Sequence, residues 1–170
     1  MLVTHEFPAE YDENSKILIL GSIPSVKSRE KTFYYMHPQN RFWKVLSEIF
    51  NEQVPQTIED KKKFLKSKNI ALWDVLSSCE ITGSSDSSIK NPVPNDINSL
   101  IKKTKIKTIF VTGKKAESLY NKYCLKYTNI KPIYLPSTSP ANQTIKYESL
   151  LEEYKKILKY LKYISFFLVF

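Results

Sequence analysis

A continuous apolar run that ends in glycine is the feature that most constrains how this chain can fold. Residues 16–20 read Lys-Ile-Leu-Ile-Leu, and Gly21 follows them. Such a run predicts a strand buried on both faces of a sheet, because a half-exposed strand would alternate apolar and polar residues. Residues 40–50 then carry apolar side chains at helical spacing. The first predicted unit is therefore a buried strand, a loop and a helix.

The same alternation of strand and helix continues along the chain. Further strands are predicted at residues 70–76, 108–112 and 133–135, and further helices at 57–68 with Thr57 as N-cap, 96–103, 114–126 and 147–162. Residues 77–95 are polar and rich in turn-forming residues, so we expect a long loop there. This order predicts an α/β fold, a three-layer αβα sandwich around a central, mainly parallel four-stranded sheet.

The length of the chain favours a single domain. Its 170 residues can bury one sizeable core, and no stretch is rich enough in glycine, proline or serine to be a linker. We expect one domain over residues 1–170, with an N-terminal segment at 1–14 and an apolar C-terminal tail at 163–170. The tail is far shorter than the roughly 20 residues that cross a bilayer. It is predicted to be an edge strand, a packed tail or an interface.

Charge and cysteine content narrow the partners and the compartment. The 26 lysines and arginines exceed the 17 acidic residues, giving a net charge of +9. This excess fits a polyanionic partner, although lysine-rich solvated helices would produce it equally well. Cys79 and Cys124 form neither a metal motif nor a disulfide framework. Since residues 1–14 also lack the pattern of a signal peptide, we expect a cytoplasmic protein and no metal.

Two loops are predicted to meet at the functional edge of the sheet. Ligands of parallel sheets bind at the carboxyl ends of the strands, where the loop after Gly21 and the loop at residues 136–142 both lie. Residues 34–43 add aromatic side chains, His37 and Asn40 close by. Neither loop carries a G-x-G-x-x-G or G-K-[ST] pattern, which excludes the usual phosphate-binding loops. The nucleophile pattern G-x-S-x-G is absent too, so acyl transfer has little support.

Several of these residues have a structural interpretation as well as a functional one. His37 is as consistent with a hydrogen-bonded structural histidine as with a catalytic one. Asn40 could cap the helix that follows it, or its amide could orient a water molecule at a site. Both roles are compatible only if its side chain points away from the helix. Of the next two residues, we expect Phe42 to face the site and Trp43 to point inward.

Five segments together resemble a known family. They are Gly-Ser-Ile-Pro-Ser at 21–25, His-Pro-Gln-Asn-Arg-Phe-Trp at 37–43, Ala-Leu-Trp-Asp-Val at 71–75, Asn-Pro-Val-Pro-Asn-Asp at 91–96 and Leu-Pro-Ser-Thr-Ser-Pro-Ala-Asn at 135–142. In this order they resemble the motifs of the uracil-DNA glycosylase superfamily, most of all its hypoxanthine-DNA (deoxyinosine) glycosylase branch. The similarity extends from about residue 16 to residue 161.

The departures from the superfamily pattern are as informative as the matches. Most members have Asp or Asn in third place of the first motif, where it positions the attacking water, and another branch has Glu in second place. This chain has Ile23 and Ser22 there. The resemblance to the hypoxanthine branch implies that Asn40 takes the catalytic role. The last motif, often His-Pro-Ser-Pro in relatives, has small hydroxyl residues at 137–139 instead of the histidine.

The resemblance implies a DNA repair enzyme that hydrolyses the N-glycosidic bond of a flipped deaminated base, most of all hypoxanthine, and leaves an abasic site. The reaction needs donors around the departing base and one oriented water, so we expect a monofunctional enzyme without cofactor or metal. The residues assigned to base binding are Gly21, Ser22, Ile23, Pro24, Ser25, Tyr35, His37, Phe42, Ser137 and Ser139, with Tyr34 as another stacking candidate. Those assigned to DNA contact are Thr138, Pro140, Ala141 and Asn142.

The expected partner is DNA, either double-stranded around a deaminated base or single-stranded, bound by a monomer associated with the nucleoid. Two other classes stay open. One is a glycosylase for uracil or mismatches, against which Ile23 argues. The other is a catalytically silent nucleic-acid-binding module of the same fold, which the absence of the usual first-motif acid would favour.

Overall fold

A computed structural model describes residues 1–5, 7–82 and 86–161. The strands are β1 (Leu2–Thr4), β2 (Ile17–Gly21), β3 (Ile70–Asp74), β4 (Leu76–Glu80), β5 (Lys90–Pro94), β6 (Thr108–Thr112) and β7 (Ile133–Leu135). The helices are α1 (Val26–Lys31), α2 (Phe42–Ile49), α3 (Ile58–Lys68), α4 (Ile97–Lys102), α5 (Lys114–Tyr123), α6 (Leu125–Thr128), α7 (Tyr147–Tyr154) and α8 (Lys156–Tyr160).

The predicted central sheet is confirmed. Four strands lie in the order β3-β2-β6-β7, and each neighbouring pair is parallel. The run after Lys16 forms the inner strand β2, whose residues are all buried. Ile17 and Ile19 pack with α2, α3 and α7 on one face, whereas Leu18 and Leu20 pack with α4 and α5 on the other. The sheet is therefore covered by helices on both sides, as an αβα sandwich requires.

The prediction of a long loop at residues 77–95 is wrong. β4 and β5 lie in that region and form a three-stranded antiparallel sheet with the N-terminal strand, in the order β1-β4-β5. Pro92 and Pro94 belong to β5, an edge strand, where a missing backbone N–H costs no ladder hydrogen bond. The polar, proline-containing sequence hides these strands because β4 pairs with β1, which is distant in the chain, and β5 pairs only with β4.

The helices differ from prediction mainly at their ends. Thr57 is confirmed as an N-cap, since its hydroxyl accepts the Asp60 N–H at 3.0 Å. Helix α1 was not expected, and the helix predicted over 147–162 is divided between α7 and α8. Residue 162 and the tail at 163–170 lie outside the described residues. Within the described ranges, no helix is long and apolar enough to cross a membrane.

Candidate active site

A cavity of about 530 Å³ lies at the carboxyl ends of the parallel strands. The loops after β2 and β7 and the segment before α2 surround it. Every predicted site residue lines this cavity except Phe42 and Asn142. Lining residues that the sequence did not indicate are Ser28, Asp74 and Thr112. The strand ends, the Gly21 loop and the loop at 136–142 thus meet where a parallel sheet is expected to bind its ligand.

Two walls of the cavity differ in construction. The buried wall consists of Gly21, Tyr35 and Asp74, which lie at or beside the ends of β2 and β3. The loop wall consists of Asn40 and residues 137–141. A typical small-ligand pocket likewise combines a largely apolar lining with a few fixed polar groups.

Asn40, the residue assigned to catalysis, has a fixed side-chain orientation. Its Oδ1 accepts the Phe42 N–H at 2.9 Å, and its own N–H donates to the His37 carbonyl at 2.9 Å. Because the Phe42 N–H is a donor, the side-chain atom of Asn40 that it contacts must be the amide oxygen. Asn40 also lines the cavity, so the expectation that both roles require a side chain pointing away from the helix is wrong: one side chain bonds to the helix start and borders the site. An amide held in this way can orient a water molecule without titrating near neutral pH.

The aromatic residues beside Asn40 form a stack at the buried wall. Tyr35 lies on Phe42 with ring centroids 3.8 Å apart and an angle of 13° between the rings. Phe42 is fully buried, so it supports Tyr35 from behind and does not itself line the cavity. Trp43 is buried as predicted, and its indole N–H donates to the Tyr34 carbonyl. Tyr35 is therefore the ring that a ligand in the cavity would meet.

The Tyr35 hydroxyl is held in its neutral form. Burial and, secondarily, the negative charge of Asp74 raise the pKa of this hydroxyl above its ordinary value. The hydroxyl oxygen lies 3.5 Å from Thr112 Oγ1. The backbone of Tyr35 has a φ of 54°, in the left-handed region that non-glycine residues seldom adopt. The buried wall thus offers an O–H donor from a constrained backbone position.

The loop at 137–142 is organised by its own polar side chains. Ser137 Oγ accepts the Ser139 N–H, Ser139 Oγ accepts the Ala141 N–H, and Asn142 Nδ2 donates to the Ser137 carbonyl. Thr138 is buried, whereas Ala141 is exposed. Two of the residues predicted to contact DNA, Thr138 and Asn142, consequently face or hold the loop interior. The exposed part of the loop is near Ala141.

Arg41 connects this loop to the segment that contains Asn40. Its guanidinium group donates to the carbonyls of Asn142 at 3.1 Å and Ile145 at 2.9 Å. Its backbone N–H donates to the Thr138 carbonyl at 3.2 Å. Since Arg41 directly follows Asn40, these bonds fix the distance between the two parts of the loop wall. No role was predicted for Arg41 from the sequence.

His37 lines the cavity with its ring orientation set by a local hydrogen bond. Its Nδ1 accepts the Gln39 N–H at 3.1 Å, which leaves Nε2 on the other side of the ring. This contact supports the structural interpretation of His37 without excluding a contact with a ligand. Over the ranges that the structure describes, no three metal-ligating side chains come together.

Asp74 and His5 form a buried pair that sequence reasoning missed. His5 Nε2 lies 2.9 Å from Asp74 Oδ2, and the two side chains are 1 % and 7 % exposed. Asp74 could have been found, because it is the first charged residue after an apolar strand that ends at the functional edge. His5 offered no such signal, since the pairing of β1 with β4 brings it there from 69 residues away.

Gly21 makes room for this carboxylate. A Cβ atom at Gly21 would lie 2.5 Å from Asp74 Oδ1 and 3.6 Å from the Tyr35 hydroxyl. No real side chain tolerates the first of these distances without displacement of the carboxylate. The glycine is therefore required for a close approach, and it brings β2, β3 and Tyr35 together around one small space.

Comparison with known proteins agrees with this architecture. The family model described as the uracil DNA glycosylase superfamily matches residues 8–162. A hypoxanthine DNA glycosylase of Methanosarcina acetivorans is 37 % identical over 144 residues, which are 84 % of this chain and 90 % of that protein. Another, from Methanosarcina barkeri, is 37 % identical over 112 residues, or 65 % and 71 % of the two chains.

A solved structure extends the agreement to the fold. The NMR structure of a candidate uracil DNA glycosylase from Methanosarcina acetivorans superposes with a TM-score of 0.81 at 35 % identity. The superposition covers 95 % of this chain and 99 % of the chain in that structure. With the family model spanning nearly all of the sandwich and its strand-end cavity, the chain belongs to the uracil DNA glycosylase superfamily.

Proposed function

We propose that this protein is a DNA glycosylase that removes a flipped, deaminated base, with hypoxanthine as its principal substrate. The observation that carries the proposal is the position of Asn40, an amide held at the cavity edge opposite a Gly21 loop that has Ile23 in place of an acid or amide. Relatives named hypoxanthine DNA glycosylase, 37 % identical, support the choice of base.

In the proposed reaction, a water oxygen bonds to C1′ of the sugar while the bond from C1′ to the base nitrogen breaks. The bonding electrons leave with the base, and the proton released by the water neutralises the base anion. Asn40 Oδ1, already fixed by the Phe42 N–H, accepts a hydrogen bond from this water. Orientation of the water replaces strong base catalysis, because an amide does not take up the proton.

The cavity also offers groups that would hold the base. The Tyr35 ring is covered by Phe42 on one face, so a flipped base would stack on the other. The Gly21 loop, Ser137 and Ser139 supply polar atoms around the base edge. Hydrogen bonds that strengthen as the base gains negative charge would stabilise the transition state more than the bound substrate.

Asp74 supplies a criterion for deamination. Asp74 lines the cavity, and its Oδ1 acceptor lies beside Gly21, another lining residue. Hypoxanthine carries an N–H at the ring position where adenine has a lone pair, so of these two bases only hypoxanthine can donate to this oxygen from that position. A site built to accept such a hydrogen bond rejects the analogue that lacks the donor, because the two acceptors then face each other unpaired.

The exposed end of the loop wall is suited to contact with the duplex. Pro140 and Ala141 lie at the cavity rim, where they would enter the space left by the flipped nucleotide. Thr138 and Asn142 would act by holding the loop, as their positions indicate. A cytoplasmic location, a monomeric state and the single-domain organisation stay predictions from the sequence.

The test is an excision assay on duplexes that contain inosine, uracil or xanthine, with abasic sites scored for the parent protein and for Asn40→Ala. We expect inosine excision by the parent and a loss of about 100- to 1,000-fold in Asn40→Ala, the range for removal of one preorganised polar group. Gln39→Ala, which removes an exposed amide next to the site, is the matched control and should keep parental activity.

Each other outcome selects a different class. Undiminished excision by Asn40→Ala would remove Asn40 from the catalytic role. A parent protein that prefers uracil over inosine would be a uracil DNA glycosylase, the activity for which the structural neighbour is named as a candidate. A parent that binds DNA but excises none of the three bases would be a silent binding module.

A further inference from the structure

The N-terminal segment reaches the buried wall of the cavity from outside the part of the chain that the family model matches. β1 pairs antiparallel with β4, and Val3 of β1 is buried in the core. The His5 N–H donates to the Ser77 carbonyl at 2.7 Å, which fixes the backbone one residue beyond β1. The family model begins only at residue 8. His5, from outside the matched range, therefore contacts Asp74, a residue of the cavity wall inside it.

His5 is enclosed by aromatic rings. Its ring centroid lies 4.5 Å from that of Phe7 and 5.8 Å from that of Tyr34. With its side chain 1 % exposed, the imidazole has little freedom to rotate. Its Nδ1 atom is buried and has no hydrogen-bond partner among the described residues, so the contact of Nε2 with Asp74 is its polar anchor.

The two oxygens of Asp74 have different surroundings. Oδ2 receives the His5 Nε2–H at 2.9 Å. Oδ1 lies beside Gly21, which lines the cavity with Asp74, and within the described residues the Asp74 side chain makes no other hydrogen bond. After burial, the charge of this carboxylate contributes to the raised pKa values of the Tyr34 and Tyr35 hydroxyls. One oxygen is thus bonded to His5, while the other lies between two residues that line the cavity.

We propose that His5 is a positioning residue for base excision, holding Asp74 so that Oδ1 points at the ring N–H of the flipped deaminated base. This inference rests on the proposed glycosylase function. Without the Nε2–H donor, the carboxylate can turn about its Cβ–Cγ bond, and its acceptor direction no longer matches the base. His5 acts through Asp74 and does not touch the substrate.

The test compares two amides that differ in reach. His5→Gln places an amide N–H near the position of Nε2 and keeps the bond to Asp74, whereas His5→Asn is one carbon shorter and cannot. Single-turnover excision of inosine is measured against protein concentration, so that the maximal rate and the half-saturating concentration are separated. Val3→Ala, which loosens β1 without touching Asp74, controls for stability, and thermal unfolding is recorded for all variants.

We expect His5→Asn to lower the maximal rate by roughly 10- to 100-fold, the cost of misplacing a group at the reacting centre. The half-saturating concentration should stay within about threefold of the parent, since contacts with the DNA backbone are unchanged. His5→Gln should recover most of the rate, and Val3→Ala should lower the melting temperature with a parental rate.

Equal rates for His5→Gln and His5→Asn, whether both parental or both reduced, would overturn the positioning role. The role would also be overturned if the maximal excision rate of His5→Asn fell in proportion to its melting temperature, with the same proportion holding for Val3→Ala. Failure of the proposed function is a separate result, because the parent itself would then excise no inosine.

Discussion

The two walls of the cavity differ in what fixes their polar groups. In the buried wall, Asp74 and Tyr35 are held by burial, by His5 and by the absence of a side chain at Gly21. In the loop wall, Asn40 and residues 137–141 are held by hydrogen bonds between short polar side chains and nearby backbone. Buried groups cannot yield without loss of packing, whereas surface loops can. We therefore expect the buried wall to be the rigid wall of the cavity, and the loop wall, with its exposed end near Ala141, to be the adaptable one.

Substitution of Gly21 is the strongest test of the rigid wall. Gly21→Ala puts a Cβ atom 2.5 Å from Asp74 Oδ1 and must displace the carboxylate. We expect inosine excision to fall by about 100-fold or more. Overpacking should also lower the free energy of unfolding by roughly 1–3 kcal/mol. Rates from single-turnover assays and denaturant unfolding curves measure the two effects.

Gly113→Ala is the matched control for this substitution. Gly113 has a φ of 89°, and a Cβ there would lie 3.3 Å from Ser137 Cβ, away from Asp74. Alanine in this conformation should lower the free energy of unfolding by about 1–2 kcal/mol. Because the added Cβ presses on Ser137 of the loop wall, a loss of excision as large as that of Gly21→Ala would show that the rigid wall is no more sensitive to added volume than the adaptable one.

Arg41 tests the adaptable wall and should have a smaller effect. Arg41→Ala removes the guanidinium bonds to the carbonyls of Asn142 and Ile145. Hydrogen bonds to charged groups contribute about 1.5–3 kcal/mol each, so we expect the half-saturating DNA concentration to rise at least about tenfold. The maximal rate should fall less than in Gly21→Ala, because Asp74 and Tyr35 are untouched.

Lys44→Ala removes an exposed positive charge from helix α2, which Arg41 directly precedes. It therefore separates the effect of loop order from the effect of charge. A rise in half-saturating concentration equal to that of Arg41→Ala would show that the loop bonds add nothing beyond one positive charge. Fluorescence anisotropy with an inosine duplex measures the affinities directly.

Alkaline pH gives the smallest expected effect and reports on the buried wall alone. Burial raises the pKa values of Tyr34 and Tyr35 above their ordinary value. These hydroxyls ionise in the unfolded chain near pH 10 but stay protonated in the folded one. Their contribution to stability is thus complete below about pH 10 and is lost as the pH rises towards the folded values.

Melting temperatures measured from pH 8 to pH 11 should therefore decline above about pH 10. Tyr35→Phe should reduce the slope of that decline by one titrating group. An identical slope for Tyr35→Phe and the parent would contradict the buried, protonated state of Tyr35.

The sequence predicted best those parts of the molecule whose signals are local. The apolar run of β2 and the spacing of apolar residues in α2 identified the central sheet and its helices. It failed where pairing joins distant segments: β1 has three residues, and its alternating pattern becomes a strand only beside β4. Helix α1 has six residues and one apolar side chain, too few for a helical period.

The same division applies to the candidate site. The Gly21 and Pro136 loops could be found because each follows a buried strand. Phe42 was expected to face the cavity, yet the sequence could not tell which ring of the Tyr35–Phe42 stack is in front. The His5–Asp74 pair depends on the three-dimensional proximity of residues 69 positions apart.

That separation in sequence affects how the protein folds. β1 has three residues and pairs with β4 alone, so it gains few contacts to offset the closure of the loop between them. The parallel sheet, built from β2, β3, β6 and β7, does not need residues 1–5 for its own hydrogen bonds. A refolding chain should therefore recover its tryptophan fluorescence before its excision activity, with docking of the N-terminal strand as the step that makes the enzyme competent.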